Sequence, residues 1–271
     1  MCTVTVLSRS LLRSDPAPGR LLLRVACNRD ELLTRSHALP PTLWAAGSRR
    51  VLMPIDPESG GTWIAATDAG LVFVLLNTTR ASDVVSGFSR TAAVSGFSRT
   101  AVVSGFSRTA LKPAHISRGT IIPALVSAAT PSRALAQATC LPAARFAPFR
   151  LLIIDRDEMI ECWPEGDRLR HRHRPLQSVI LRTSSSLGDA LVDSPRRSLL
   201  RRVLSEVSDP RIAQDRFHEH RWHGREAISV NMSRADAQTV SRTVVEVRDG
   251  SVTMSYRAAN WPRAVAMQVA A

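Results

Sequence analysis

The sequence predicts an α+β fold in which two layers of mostly antiparallel sheet are covered by helices, and three observations carry that reading. Strand-like and helix-like segments come in blocks, in the order strands, helices, strands, helices, strands, which disfavours an alternating parallel α/β arrangement. Short turn sequences such as Asp68-Ala69-Gly70 and Asp249-Gly250 separate apolar runs, as antiparallel neighbours require. The chain has 271 residues, 44% of them hydrophobic, enough for a sizeable core in one large domain or two small ones.

The first residues, Cys2-Thr3-Val4-Thr5-Val6-Leu7, alternate as a short strand. Residues 21–27 read as an apolar strand that ends at the polar cluster Asn28-Arg29-Asp30-Glu31. Residues 60–66 and 71–77 form a hairpin about the Asp68-Ala69-Gly70 turn, with Gly where positive φ is expected. Ser117 is placed to cap a helix through residue 129, and Thr130-Pro131 opens a second helix with a capping hydroxyl followed by Pro in the first turn. Residues 149–154, 159–163 and 178–182 read as a meander of strands. Ser194-Pro195 opens a helix with Leu199, Leu200, Val203, Leu204 and Val207 on one face and Arg196, Arg197, Arg201 and Arg202 on the other. Asp209-Pro210 starts another helix, and residues 227–232, 239–247 and 251–256 are the closing strands.

Lys and Arg number 36 against 23 Asp and Glu, a net charge of +13, and Lys112 is the only Lys. Such an excess suits an anionic partner or reflects an Arg-biased genome. No nucleic-acid motif and no basic groove with interleaved aromatics accompanies it, so no specific nucleic-acid partner is expected. No apolar run reaches the ~18 residues of a membrane-spanning helix, and the start lacks the pattern of a secretory signal. Cys2, Cys27, Cys140 and Cys162 are too far apart for a CxxC motif, so reduced thiols and a cytoplasmic location are expected. His171 and His173 alternate with Arg, whose charge repels a cation. His218, His220 and His223 have a spacing that invites a metal or a haem ligand, but they lack the HExxH register and read better as a polar connection. The expectation is therefore no metal and no cofactor.

The octapeptide Val-Ser-Gly-Phe-Ser-Arg-Thr-Ala occurs unchanged at residues 85–92, 94–101 and 103–110. One unit offers too few apolar groups to build a core, and its period lies far below that of solenoid repeats. Residues 82–114 are thus read as an inserted low-complexity loop, the product of a duplicated DNA element. Arg90, Arg99 and Arg108 do not account for the basicity of the whole chain.

Cys2 is the position with most chemistry. Removal of Met1 would place a thiol and a free α-amine on one residue, a nucleophile with its own base, the amine having a reference pKa of about 7.7–8.0. The bland alternative is a small buried hydrophobe in the first strand. The ordered set Met1-Cys2-Thr3-Val4, Ala26-Cys27-Asn28-Arg29-Asp30-Glu31, Gly60-Gly61-Thr62-Trp63 and Leu75-Leu76-Asn77 stands within the first 77 residues, followed by Ser117-Arg118-Gly119 at a helix start. This set resembles the NRDE family, also called the transport and Golgi organisation protein 2 family, over nearly the whole chain outside the insert, which implies one domain over residues 1–271.

The family is similar in pattern to N-terminal-nucleophile hydrolases. The resemblance implies a four-layer α-β-β-α sandwich with Cys2 on a central strand, and hydrolysis or transfer at a linear carbon–nitrogen amide through Cys2. Eukaryotic relatives are associated with Golgi organisation and with haem or acyl-lipid handling, so a non-catalytic carrier of such a ligand is the alternative. In the catalytic reading Asp30 holds the α-amine of Cys2, Arg29 stabilises thiolate or binds a substrate carboxylate, and Asn77 donates to a tetrahedral oxyanion. Asn28 and, more distally, Asn231 are further substrate-binding donors. A structural Arg29–Asp30 ion pair is the competing reading of those two residues. Gly60 and Gly61 are explained by close backbone approach in a tight turn.

Overall fold

A computed structural model describes residues 2–12, 19–78, 116–259 and 264–271; the insert read at 82–114 lies outside the described residues. Strands β1 (Cys2–Ser8) and β2 (Leu21–Leu32) are central in a six-stranded antiparallel sheet. In it β10 (Ile180–Thr183) borders β1, and β11 (Ala237–Arg248), β12 (Ser251–Ala258) and β13 (Val265–Ala270) follow β2 in turn. All of β1 is buried although its sequence alternates. Val4 and Val6 enter the core between the sheets, whereas Thr3 and Thr5 face helices that satisfy their hydroxyls. The second sheet has seven strands in chain order: β3 (Leu39–Ala46), β4 (Arg49–Ile55), β5 (Ile64–Thr67), β6 (Val72–Asn77), β7 (Phe149–Ile154), β8 (Glu158–Glu165) and β9 (Arg168–Pro175).

Three apolar clusters bind the layers. Val25, Cys27, Val74 and Leu152 meet between the sheets. Phe73, Leu75, Ile153 and Phe149 face outward onto Ile121, Leu125, Ala134 and Ala138, the last two on helix α1 (Pro131–Thr139). Leu181 faces the opposite way, onto Leu199, Leu200 and Val203 of helix α2 (Asp189–Glu206) and Ala213 and Phe217 of helix α3 (Pro210–Glu219). The four-layer α-β-β-α sandwich is the architecture observed.

The β5–β6 hairpin turns at Gly70 with φ +77°, and Thr130 and Asp209 cap α1 and α3 as their sequences predict. Other expectations need correction. The cluster Asn28 to Glu31 does not end a strand; it continues β2, because β1 and β11 on either side give its backbone a ladder. After Ser117, which accepts from Gly119 N, the chain makes a 3₁₀ turn (Arg118–Thr120) and further turns instead of an α-helix. Pro123 has no N–H to give Gly119 O, and that oxygen accepts instead from Thr62 N at 3.0 Å. Residues 180–183 leave the meander and pair with the free edge of β1.

Helix α2 begins at Asp189 and carries Pro195 inside it. Arg196 belongs to its buried stripe, three and four residues before Leu199 and Leu200. Residues 227–232 are not a strand, since side chains satisfy much of their backbone: Asn28 Nδ2 donates to Val230 O and Met232 N donates to Thr239 Oγ1. Strands β3, β4 and β13 were not foreseen from the sequence.

Candidate active site

Strand alternation sorts the predicted residues between two faces of the six-stranded sheet. Cys2 pairs with Arg29 in the ladder, and both point toward the other sheet, where they border a cavity of about 370 Å³. Trp63 and Asp56 close it from the second sheet, Asn77 from the end of β6, and Arg118 and Gly119 from the turn that follows Ser117. That turn is fixed by close approach: a Cβ on Gly61 would overlap the Gly119 backbone, while Gly60 takes φ +63°. The glycine pair thus has the structural role its sequence suggested.

Cys2 is held by backbone and thiol alike. Its N–H donates to Ser184 Oγ at 3.1 Å, and its carbonyl accepts from Ser184 N at 2.9 Å. A hydrogen bond from the Cys27 thiol holds the Cys2 thiol below its ordinary pKa despite burial, and the Arg29 charge acts in the same direction. Cys27 itself is pushed well above the ordinary value, by that same contact and by burial. Cys27 therefore holds its proton more firmly, and Cys2 is the more acidic thiol of the pair. Arg29 is stacked over Trp63, 4.2 Å from the ring centre, and its Nη2 binds Asp56 at 2.8 Å and Glu31 at 3.3 Å. Arg35 shares Asp56 at 2.8 Å and adds Glu58 at 3.3 Å. The ion pair of Arg29 is thus with Asp56, not with its neighbour Asp30.

Asp30 and Asn28 lie on the helix side of β2. Asp30 Oδ1 accepts from Thr239 Oγ1 at 2.6 Å, and burial raises its pKa while the Arg196 charge pulls it down. Arg196 also donates to Thr3 Oγ1 and Thr183 Oγ1, tying both neighbours of the Cys2 end to α2. Asn28 is engaged on every side: Nδ2 donates to His218 O and Val230 O, and Oδ1 meets His218 Nδ1 at 3.0 Å. His218 Nε2 meets Thr5 Oγ1 at 2.7 Å, and burial drives the imidazole pKa well below its ordinary value, so both ring nitrogens of this haem-ligand candidate are occupied. Asn231 is bound by Arg221 and, with Asn28, borders a separate cavity behind the sheet.

The structure therefore brings together Cys2, Arg29 and Asn77 around one cavity and leaves Asp30, Asn28 and Asn231 behind the sheet. Ser184, Cys27, Asp56 and Arg118 were not singled out as site residues from the sequence. Of these Cys27 and Arg118 carried a signal, as members of the Ala26-Cys27-Asn28-Arg29-Asp30-Glu31 and Ser117-Arg118-Gly119 runs. The others are brought in by strand register, which composition does not reveal.

Solved structures with similar folds include the Caenorhabditis elegans ortholog of N-acylethanolamine-hydrolyzing acid amidase, at 10% identity and TM-score 0.52, covering 90% of this chain and 92% of that one. Two forms of conjugated bile acid hydrolase from Clostridium perfringens align over 98% of this chain and 92% of theirs, at 11% and 10% identity and TM-scores of 0.48 and 0.49. No curated protein matches the sequence. At these identities the acid amidase likeness speaks to fold, and it agrees with an N-terminal-nucleophile-hydrolase-like sandwich. Kinship rests on the sequence itself: the family model for Transport and Golgi organisation 2 matches residues 1–258, and the chain belongs to that family.

Proposed function

We propose that the protein is an N-terminal-cysteine amidohydrolase acting on a small linear amide, with Cys2 as nucleophile. The observation that supports this most is the setting of Cys2: a thiol with a lowered pKa borders a cavity, and its own nitrogen is hydrogen-bonded to Ser184 Oγ. Once the bond preceding Cys2 is cut, that nitrogen becomes the α-amine, held by Ser184 with Asp30 on the adjoining strand position.

In this reading the amine takes the Cys2 proton, and Sγ attacks the amide carbonyl to form a carbon–sulfur bond. The Asn77 side-chain amide donates to the oxyanion. Collapse breaks the carbon–nitrogen bond, and the ammonium returns the proton to the leaving amine. Water, deprotonated by the same amine, then cleaves the thioester and releases the acid. The Cys27 thiol and the Arg29 guanidinium stabilise the sulfur anion at the start and on regeneration.

An intact-mass measurement and a panel of N-acyl amides test this. Expected are loss of Met1 in the purified protein and turnover that vanishes in Cys2→Ala. Retained Met1, or equal turnover by the variant, overturns the proposal.

A further inference from the structure

The cavity at Cys2 is lined by three arginines, and two of them are ion-paired with acids. Arg29 and Arg35 share Asp56, both reach Glu31, and Arg35 also meets Glu58. Arg118 differs. Among the described residues it has no carboxylate within ion-pair distance, and its one hydrogen bond runs from Nη1 to Pro148 O at 2.9 Å. It is half-buried, and burial holds its pKa below the ordinary value against the more distant charge of Glu31. A guanidinium partly withdrawn from water and answered, among the described residues, only by a carbonyl is under-compensated.

The free donors have a shape. A guanidinium has five N–H groups, and the Pro148 carbonyl takes one on Nη1, which leaves the edge formed by Nε and Nη2. Two parallel N–H groups on one edge match a carboxylate in bidentate fashion. The backbone beneath is fixed, because Gly119 lies against Gly61 and its carbonyl accepts from Thr62 N at 3.0 Å. Trp63, which lines the same cavity, has a buried indole N–H with no acceptor among the described residues. A volume of about 370 Å³ suits a small molecule.

We infer that the substrate is an anionic amide, of the N-acyl amino acid class, whose carboxylate docks on the free edge of Arg118 while its amide carbonyl lies at Cys2. This rests on the proposed hydrolase reading and names the substrate class of the same site. A dianionic phosphate fits less well, since one unpaired guanidinium balances one negative charge.

The test uses N-hexanoylglycine and its methyl ester as probes, with binding measured by calorimetry on the full chain carrying Cys2→Ala. The acid is expected to bind at least about tenfold more tightly than the ester, the range of a charge-assisted hydrogen-bond pair. In Arg118→Met that ratio should fall to about one, and Arg118→Lys should restore part of it, with a thermal melt showing that each variant folds. An acid-to-ester ratio near one in the parent, an unchanged ratio in Arg118→Met, or no binding of either probe overturns the inference. Turnover by the protein with Cys2 intact separates the two readings. Acid-selective binding without cleavage sinks the hydrolase and keeps the anion site, whereas cleavage of both probes at equal rates does the reverse.

Discussion

Four thiols in one chain are given different chemistry by their surroundings. Burial and the neighbouring Glu161 push Cys162 to a pKa of about 12, Cys27 is raised by its contact with Cys2 and by burial, and Cys140 is exposed. Iodoacetamide at pH 7 should therefore modify Cys2 first, Cys140 more slowly, and leave Cys27 and Cys162 intact, as peptide mapping over time would show. Cys140 reacting ahead of Cys2 would refute the lowered pKa of the Cys2 thiol. His218 supplies a pH prediction. Its folded pKa lies well below 6.5, so the unfolded chain binds a proton that the native one refuses. The stability this provides is complete above pH 6.5 and lost as pH falls below it, at about 1.4 kcal/mol per pH unit for the one proton. Urea melts at pH 7, 6 and 5 should show a shallower decline in His218→Gln than in the parent; parallel declines would exclude His218 as the cause. Gly61→Ala should cost about 1–3 kcal/mol and reduce turnover together, because the Arg118 turn must move.

At the scale of elements, α2 and β2 show what sequence reasoning reaches. Caps and tight turns are local chemistry, so Thr130, Asp209 and the Gly70 turn could be read directly. Partner choice is not local: residues 180–183 look like the next strand of a meander, yet the open edge of β1 captures them. Arg196 misleads for a related reason. A charged residue among Arg197, Arg201 and Arg202 reads as solvated, but Thr3, Thr183, Ile228 and Ser229 supply acceptors for four of its five N–H groups in the interior. Cys2 and Arg29 of the site were legible because their residue types announce chemistry, whereas Ser184 has no such mark until β10 lies beside β1. Arg196→Met should strand those acceptors and cost about 3 kcal/mol or more in chemical denaturation. A loss under 1 kcal/mol would mean that the surrounding groups find other partners.

For the whole molecule, the two chain ends that flank the insert are anchored to one short stretch. Thr78 N donates to Pro148 O, and Ile116 N donates to Arg145 O. With its entry and exit so fixed, removing residues 85–110 should leave the melting temperature within a few degrees of the parent. A loss of cooperative melting would show that the repeat belongs to the core. The same logic of fixed boundaries gives β2 its importance, since its two faces serve different layers: Arg29 and Glu31 look into the cavity, Asn28 and Asp30 toward the helices. The run Asn28 to Glu31 therefore works as a phase mark. Shift the strand by one residue and each letter addresses the wrong layer, with two charges sent against His218 and a neutral amide left at the thiol. What looks in the sequence like one signature is two interleaved ones, and together they act as an error check on the alignment of the entire sandwich.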